Sequence, residues 1–287
     1  MQTGHDTLAA VVERQKGDGP FTGVVRVSLD GRTFFEQAWG ERNRAERLPC
    51  TPDTRFGMAS GSKTFTAVAV CRLVDRGAAS LDDSLHDHLD VDLSGIDRGV
   101  TVRRLLTHTS GVADYFDEEE VLQPAGMGDS GYFATDDLPP RTALGYVKTG
   151  DGWKTNVFSV PAVGQPDGGA FTTAPDMERF WDALLGGVLL SPGLSAELLG
   201  PQVEVSGGEG YGLGVWTREL ADGRTLRYAS GTDPGVRFNS GFLDDGALKV
   251  TVIRNSDGPG WRVFMGLVDE LAEFLHPMEG DGSGTGL

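Results

Sequence analysis

The chain has 287 residues, 39% of them hydrophobic and 23% charged, with Lys plus Arg 25 against Asp plus Glu 42 and a net charge of −17. This composition belongs to a globular chain rather than a disordered one, and the length supports a core without disulfide staples. So acidic a chain repels phosphate backbones and anionic lipid heads, which argues against nucleic-acid and membrane partners.

No run of eighteen apolar residues marks a membrane span. The opening MQTGHDTLAAVVERQKG has no cationic segment leading into an apolar one, so no secretory signal is read there. Cys50 and Cys71 cannot form a disulfide framework, and Cys71 reads as a small buried hydrophobe. A cytoplasmic location is the resulting expectation.

Residues 5–16 predict a short amphipathic helix. Residues 23–40 hold two β-rich runs around Asp30-Gly31, a hairpin signal. From Ser60 the apolar spacing turns helical and stops at Gly77. Short helices are predicted over 101–111 and 175–188. Strand character returns at 211–220, 224–230, 235–243 and 247–256, with turns at Asp222-Gly223 and Asp245-Gly246. A last helix covers 261–275, before a polar, glycine-rich tail.

Strands, then helices, then strands, then a helix is the order of an α+β fold with a largely antiparallel sheet. The early hairpin and the late strands most economically share one sheet. A single domain is expected, its sheet part about 1–57 and 205–287 and its helical part about 58–204.

Gly61-Ser62-Lys63-Thr64 is out of frame for a phosphate loop, so ATP binding there is not expected. Ser60-Gly61-Ser62-Lys63 is an S-x-x-K tetrad, and its setting gives it weight. It opens a helix directly after the strand-like TRFGMA, and residues three apart share one helix face. Free N–H groups and the helix dipole favour an oxyanion at that end. A hydroxyl is a poor nucleophile until a neighbouring neutral amine takes its proton. On the tetrad alone, Ser60 as an N-cap and Lys63 as a solvated first-turn residue is the simpler reading.

The wider sequence decides between these. TRFGMASGSKTFTAVAVCRLVDRGAASLDDSL, LLTHTSGVADY, PAGMGDSGYF, PDGGAFTTAPDMERFWDALLGG, YGLGVWT and SGTDPGVRFNS occur in an order that resembles the serine β-lactamase and penicillin-binding-protein-like hydrolases. Within these the chain is similar to the class C β-lactamase, esterase and D-aminopeptidase branch, over most of residues 20–275. The resemblance implies an antiparallel sheet flanked by helices, a helical lobe, and a site between them. It implies Ser60 as the acylated nucleophile and Lys63 as the group that helps deprotonate it. It sets Ala229-Ser230-Gly231 in the place of the third motif, where β-lactamases usually carry a cation first, and the backbone amides of Ser60 and Thr232 as the oxyanion hole. It implies no cofactor.

One departure is large. The family's Tyr-x-Asn segment is missing, because Tyr115-Phe116-Asp117 runs almost directly into the PAGM segment. Tyr115 and Tyr132 flank this gap as candidate substitutes, against the plainer reading of half-buried aromatics. A shortened helical lobe, an open cleft and self-association through uncovered surface are expected. Lys148-Thr149-Gly150 spells the third motif in the wrong place and reads as a hairpin turn. His86-Asp87-His88 has no further ligand in sight and reads as a solvated loop, His108 as a helix-end hydrogen bonder, and residues 117–120 as a solvated charge run. Gly168-Gly169 reads as a close backbone approach behind the site. The functional expectation is a serine hydrolase acting through an acyl-enzyme on a small-molecule ester or small amide, weakened by the lost tyrosine. The alternative is a non-catalytic binding or assembly derivative of the same fold.

Overall fold

The computed structural model describes residues 2–89, 96–107, 120–150, 152–243 and 246–275. Its centre is an eight-stranded antiparallel sheet. In chain order the strands are β1 (Gly23–Leu29), β2 (Arg32–Trp39), β3 (Val203–Ser206), β4 (Glu209–Tyr211), β5 (Trp216–Glu219), β6 (Thr225–Asp233), β7 (Val236–Leu243) and β8 (Leu248–Arg254). Across the sheet they run β2-β1-β8-β7-β6-β5-β4-β3. The N-terminal hairpin therefore docks on the last strand, and Gly23 opposes Arg254. Asp30 at φ 50° and Gly31 at φ 69° make the two-residue turn of that hairpin. Two left-handed residues match the natural twist of paired strands.

Among the described residues the helices are α1 (Gln2–Gln15), α2 (Ser62–Asp75), α3 (Val102–Leu106), α4 (Ala174–Leu185), α5 (Pro192–Leu199) and α6 (Gly260–Leu275). Helices α1 and α6 cover one face of the sheet, where Val11, Phe264 and Leu267 meet Val25, Val27, Val250 and Val252. Alternation along the strands sends Val24, Phe238, Phe242 and Ile253 to the other face, against α2 and α4. There Phe65, Phe180, Trp181 and Phe242 pack ring against ring, with centroids 4.9–5.1 Å apart. The Trp181 indole N–H donates to Ser240 Oγ at 2.9 Å, so the largest side chain in this core leaves no polar atom unmatched. Helix α2 is buried from Ser62 to Cys71 except at Lys63 and Val70, a central helix rather than a surface one.

The expected run 211–220 is not one strand. Gly212–Val215 reverse the chain, with the Gly212 amide donating to Val215 O at 2.8 Å. Gly214 sits at φ +79°, and a side chain there would collide with Ala67 of α2. Close approach to α2 breaks the strand and sets Tyr211 opposite Trp216 in neighbouring strands. The predicted 101–111 helix is described only as far as Leu106–Thr107, since 108–119 lie outside the described residues. Helix α5 and strand β3 carry no counterpart in the sequence reading, although Ser191-Pro192 is a helix-start signal. Lys148-Thr149-Gly150 lies at the tip of a small hairpin, Tyr146–Thr149 with Gly152–Thr155, as read. No helix among the described residues is long and apolar enough to cross a membrane.

Candidate active site

Phe56-Gly57 pairs with Phe171-Thr172, and this short ladder delivers the chain to a 3-10 turn, Ala59–Gly61, at the mouth of α2. Ala59 has φ +47°, a left-handed conformation that costs an L-residue about 1 kcal/mol or more. The turn is held from both sides. The Gly61 amide donates to Met58 O at 2.9 Å. Ser62, fully buried, donates its Oγ to Ala59 O at 2.9 Å and accepts from the Ala170 amide at 3.0 Å. Strain held by surrounding bonds in this way is common where a reactive side chain must be presented.

Ser60 stands exposed on the turn. Lys63 Nζ donates to Ser60 Oγ at 3.1 Å. The same Nζ donates to the main-chain carbonyl of Asp167, and the Asp167 carboxylate lies 3.9 Å away. The segment carrying Asp167 is pinned along α2, with Thr66 Oγ1 donating to Pro166 O at 2.6 Å and the Gly169 amide to Ala59 O at 3.3 Å. A Cβ on Gly168 would stand 3.8 Å from the Ser60 amide nitrogen, an ordinary contact, so of the Gly168-Gly169 pair it is Gly169 that makes a close approach, at φ +100° with a Cβ 2.7 Å from Gly164 Cα.

Strand β6 closes the other side. Gly231 faces the turn with no room for a side chain: a Cβ would lie 2.0 Å from Met58 O, 2.7 Å from Gly61 N and 2.9 Å from Ser60 N. The backbone of β6 thus runs against the amide of Ser60, and Thr232 follows at once. Ala229 is buried in the core, and Ser230 Oγ donates to Asn239 Oδ1 at 3.0 Å. Strand β5 pairs with β6 only from Thr225 to Tyr228, so the β5-facing edge of Ser230–Asp233 opens onto a cleft of about 590 Å³. Ser60, Lys63, Ser230, Gly231 and Thr232 all line it. At the end of β6, burial pushes the Asp233 carboxyl above the usual carboxylate range. The charge of Asp167 pushes the same way, and Lys63 and Arg237 pull back.

Ser60, Lys63, Ser230, Gly231 and Thr232 are therefore brought together. Tyr132 is not among the cleft-lining residues; its half-buried ring packs on the core and against Gly164. Tyr115 and His108 lie outside the described residues. His86 Nε2 sits 3.1 Å from Ile96 O, and His88 Nε2 2.8 Å from Asp83. Burial pushes the thiols of Cys50 and Cys71 up to about 12, so neither is a rival nucleophile. Sequence reasoning missed Asp167, the Ser62 rivet and the aromatic side of the cleft. Only Pro166-Asp167-Gly168-Gly169, as a turn signal, could have drawn attention to the first.

A family model described as beta-lactamase matches residues 8–120 and 117–265, nearly the whole described chain. The chain belongs to the beta-lactamase family. The solved penicillin-binding protein from Bacillus halodurans is 34% identical, with a TM-score of 0.82 over 92% of this chain and 98% of that one. The octameric penicillin-binding protein homologue from Pyrococcus abyssi, 21% identical at a TM-score of 0.78, covers 95% of this chain and 78% of its own, and shares the fold. The chain is also similar to Protein flp of Staphylococcus aureus (strain MW2), 26% identical over 111 residues. That match takes in 38% of this chain and only 22% of the relative's length. Family and neighbours support a function of the serine-hydrolase type.

Proposed function

We propose that the protein is a serine hydrolase that forms an acyl-enzyme on Ser60 with an ester or small amide. The observation that carries this is the 3.1 Å contact between Lys63 Nζ and Ser60 Oγ at the floor of an open cleft. Ser60 Oγ attacks the substrate carbonyl carbon while its proton passes to the neutral form of the Lys63 amine. The tetrahedral oxyanion is held by the amides of Ser60 and Thr232. A donor of this kind contributes about 3 kcal/mol in other hydrolases. The leaving group departs with the proton from Lys63, and water then releases the acid by the reverse sequence. The carbonyl of Asp167 orients the amine from behind.

Ala229 gives the third motif no cation and is itself buried, so recognition of a β-lactam carboxylate is not built at that position. An ester or a small uncharged amide is the better fit. The missing Tyr-x-Asn segment, for which Tyr132 does not substitute in the cleft, favours slow turnover, and its extreme is a non-catalytic protein on the same fold. Hydrolysis of p-nitrophenyl acetate by wild type and Ser60→Ala separates the two. A rate above background that Ser60→Ala abolishes supports the hydrolase; equal rates in both leave the non-catalytic reading.

A further inference from the structure

We propose that the cleft selects substrates by a flat aromatic group, stacked on a wall of four rings that the chain assembles beside Ser60. The location of the scissile bond rests on the hydrolase reading above; the binding of the ring does not.

The wall is Tyr211, Trp216, Tyr228 and Trp261, all lining the cleft that holds Ser60 and Lys63. It follows from strand register. Tyr211 of β4 opposes Trp216 of β5, and Trp216 opposes Tyr228 of β6, so three strands present their rings in one row. The ring centroids are 4.7 Å apart for Tyr211–Trp216 and 6.3 Å for Trp216–Tyr228, the latter pair nearly parallel at 18°. Trp261, at the start of α6, extends the row, 5.0 Å from Tyr228. Tyr211 and Tyr228 are buried and form the backing, whereas Trp216 and Trp261 are half-buried and give the cleft its reachable aromatic surface.

The arrangement suits a neutral ring better than a cation. Tyr211 stands edge-on to Trp216 at 71° and Trp261 is tilted 41° from Tyr228, so the row is a stepped wall on one side of the cleft and not the enclosing cage that holds an ammonium group. The charge beside them is also matched already. Glu209 Oε1 accepts from Arg218 at 2.7 Å and from Tyr228 OH at 3.2 Å, and the Arg218 guanidinium lies 5.9 Å from the Trp261 ring centroid. What the cleft offers a ligand is the half-buried surface of Trp216 and Trp261, and its volume is that of a small-molecule site.

The test is competition for Ser60. A fluorophosphonate labels the full chain in the presence of 2-(2-naphthyl)acetamide or of its decahydro analogue, which share one carbon skeleton and differ in flatness. The expected result is that the naphthyl amide protects at about tenfold lower concentration, the scale of a ring-stacking preference. In Trp216→Leu or Trp261→Leu, each compared within itself, that ratio falls to about twofold. Equal protection by the two amides in wild type overturns the proposal, as does an unchanged ratio in a folded variant. Trp261→Leu, at a helix start, is the arm to use if Trp216→Leu fails to fold. Should wild type take no label, the hydrolase reading fails separately, and quenching of tryptophan fluorescence decides the binding. With excitation beyond the naphthyl absorption, quenching by the naphthyl amide and not by the decahydro one upholds the proposal; equal or absent quenching overturns it.

Discussion

Replacing Gly231 with alanine tests how tightly the turn carrying Ser60 and strand β6 are locked. The added methyl carbon would lie 2.0 Å from Met58 O, where a carbon–oxygen contact needs about 3.3 Å. Turn and strand must therefore separate by about 1.3 Å, and both opposing groups are backbone, so no side chain can swing aside. Overpacking of this kind costs about 1–3 kcal/mol. In a chain of this size each kcal/mol lowers Tm by about 2–4 °C. The same movement carries the Thr232 amide away from the Ser60 amide, and misplacing a reacting geometry by about 1 Å costs about a hundredfold in rate. The assay is p-nitrophenyl ester hydrolysis well below Tm, with melting followed by scanning fluorimetry. A Gly231→Ala protein that melts several degrees early but hydrolyses within twofold of wild type would show that the two amides do not act as a pair. A protein unchanged in both would refute the packing argument itself.

Three further outcomes are expected. Ser62→Ala removes the hydroxyl that serves Ala59 O and the Ala170 amide, leaving two buried backbone groups unmatched, and destabilises the fold by about 1–3 kcal/mol in urea unfolding; Ser60→Ala, on the exposed side of the same turn, leaves the midpoint where it was. Asp233→Asn raises Tm at pH 7. The folded protein holds the Asp233 proton to higher pH than the unfolded chain, so stability falls as pH rises through that window and the cost stays above it; the gain should vanish below the ordinary carboxylate pKa, and an equal gain at pH 3 would contradict the cause given. Lys63→Ala should keep the wild-type circular dichroism and lose esterase activity by about a hundredfold or more, the scale of general-base catalysis; near-normal activity would remove Lys63 from the mechanism.

Features written in local patterns were legible before the fold was seen. The Asp30-Gly31 turn, the helix from Ser60 to Gly77 and the final helix each depend on residues close in sequence, and the antiparallel sheet followed from their order. The one-turn spacing of Ser60 and Lys63 likewise put both on one helix face. What could not be read depended on distant partners. The 211–220 run looked continuous because only the approach of α2 to Gly214 breaks it. Asp167 reaches Lys63 because Thr66 and Ser62 pin a loop about a hundred residues further along the chain. The aromatic row likewise exists only once three strands are in register. Tyr132 looked available beside the missing segment, yet its ring is taken up in packing against Gly164.

The most direct measurement is peptide-resolved mass spectrometry after reaction with a fluorophosphonate. A nucleophilic Ser60 predicts one phosphonyl adduct, on the peptide that contains Ser60, absent in Ser60→Ala and strongly reduced in Lys63→Ala. An adduct on another serine, or equal labelling of all three proteins, would contradict activation of that hydroxyl by its neighbouring amine.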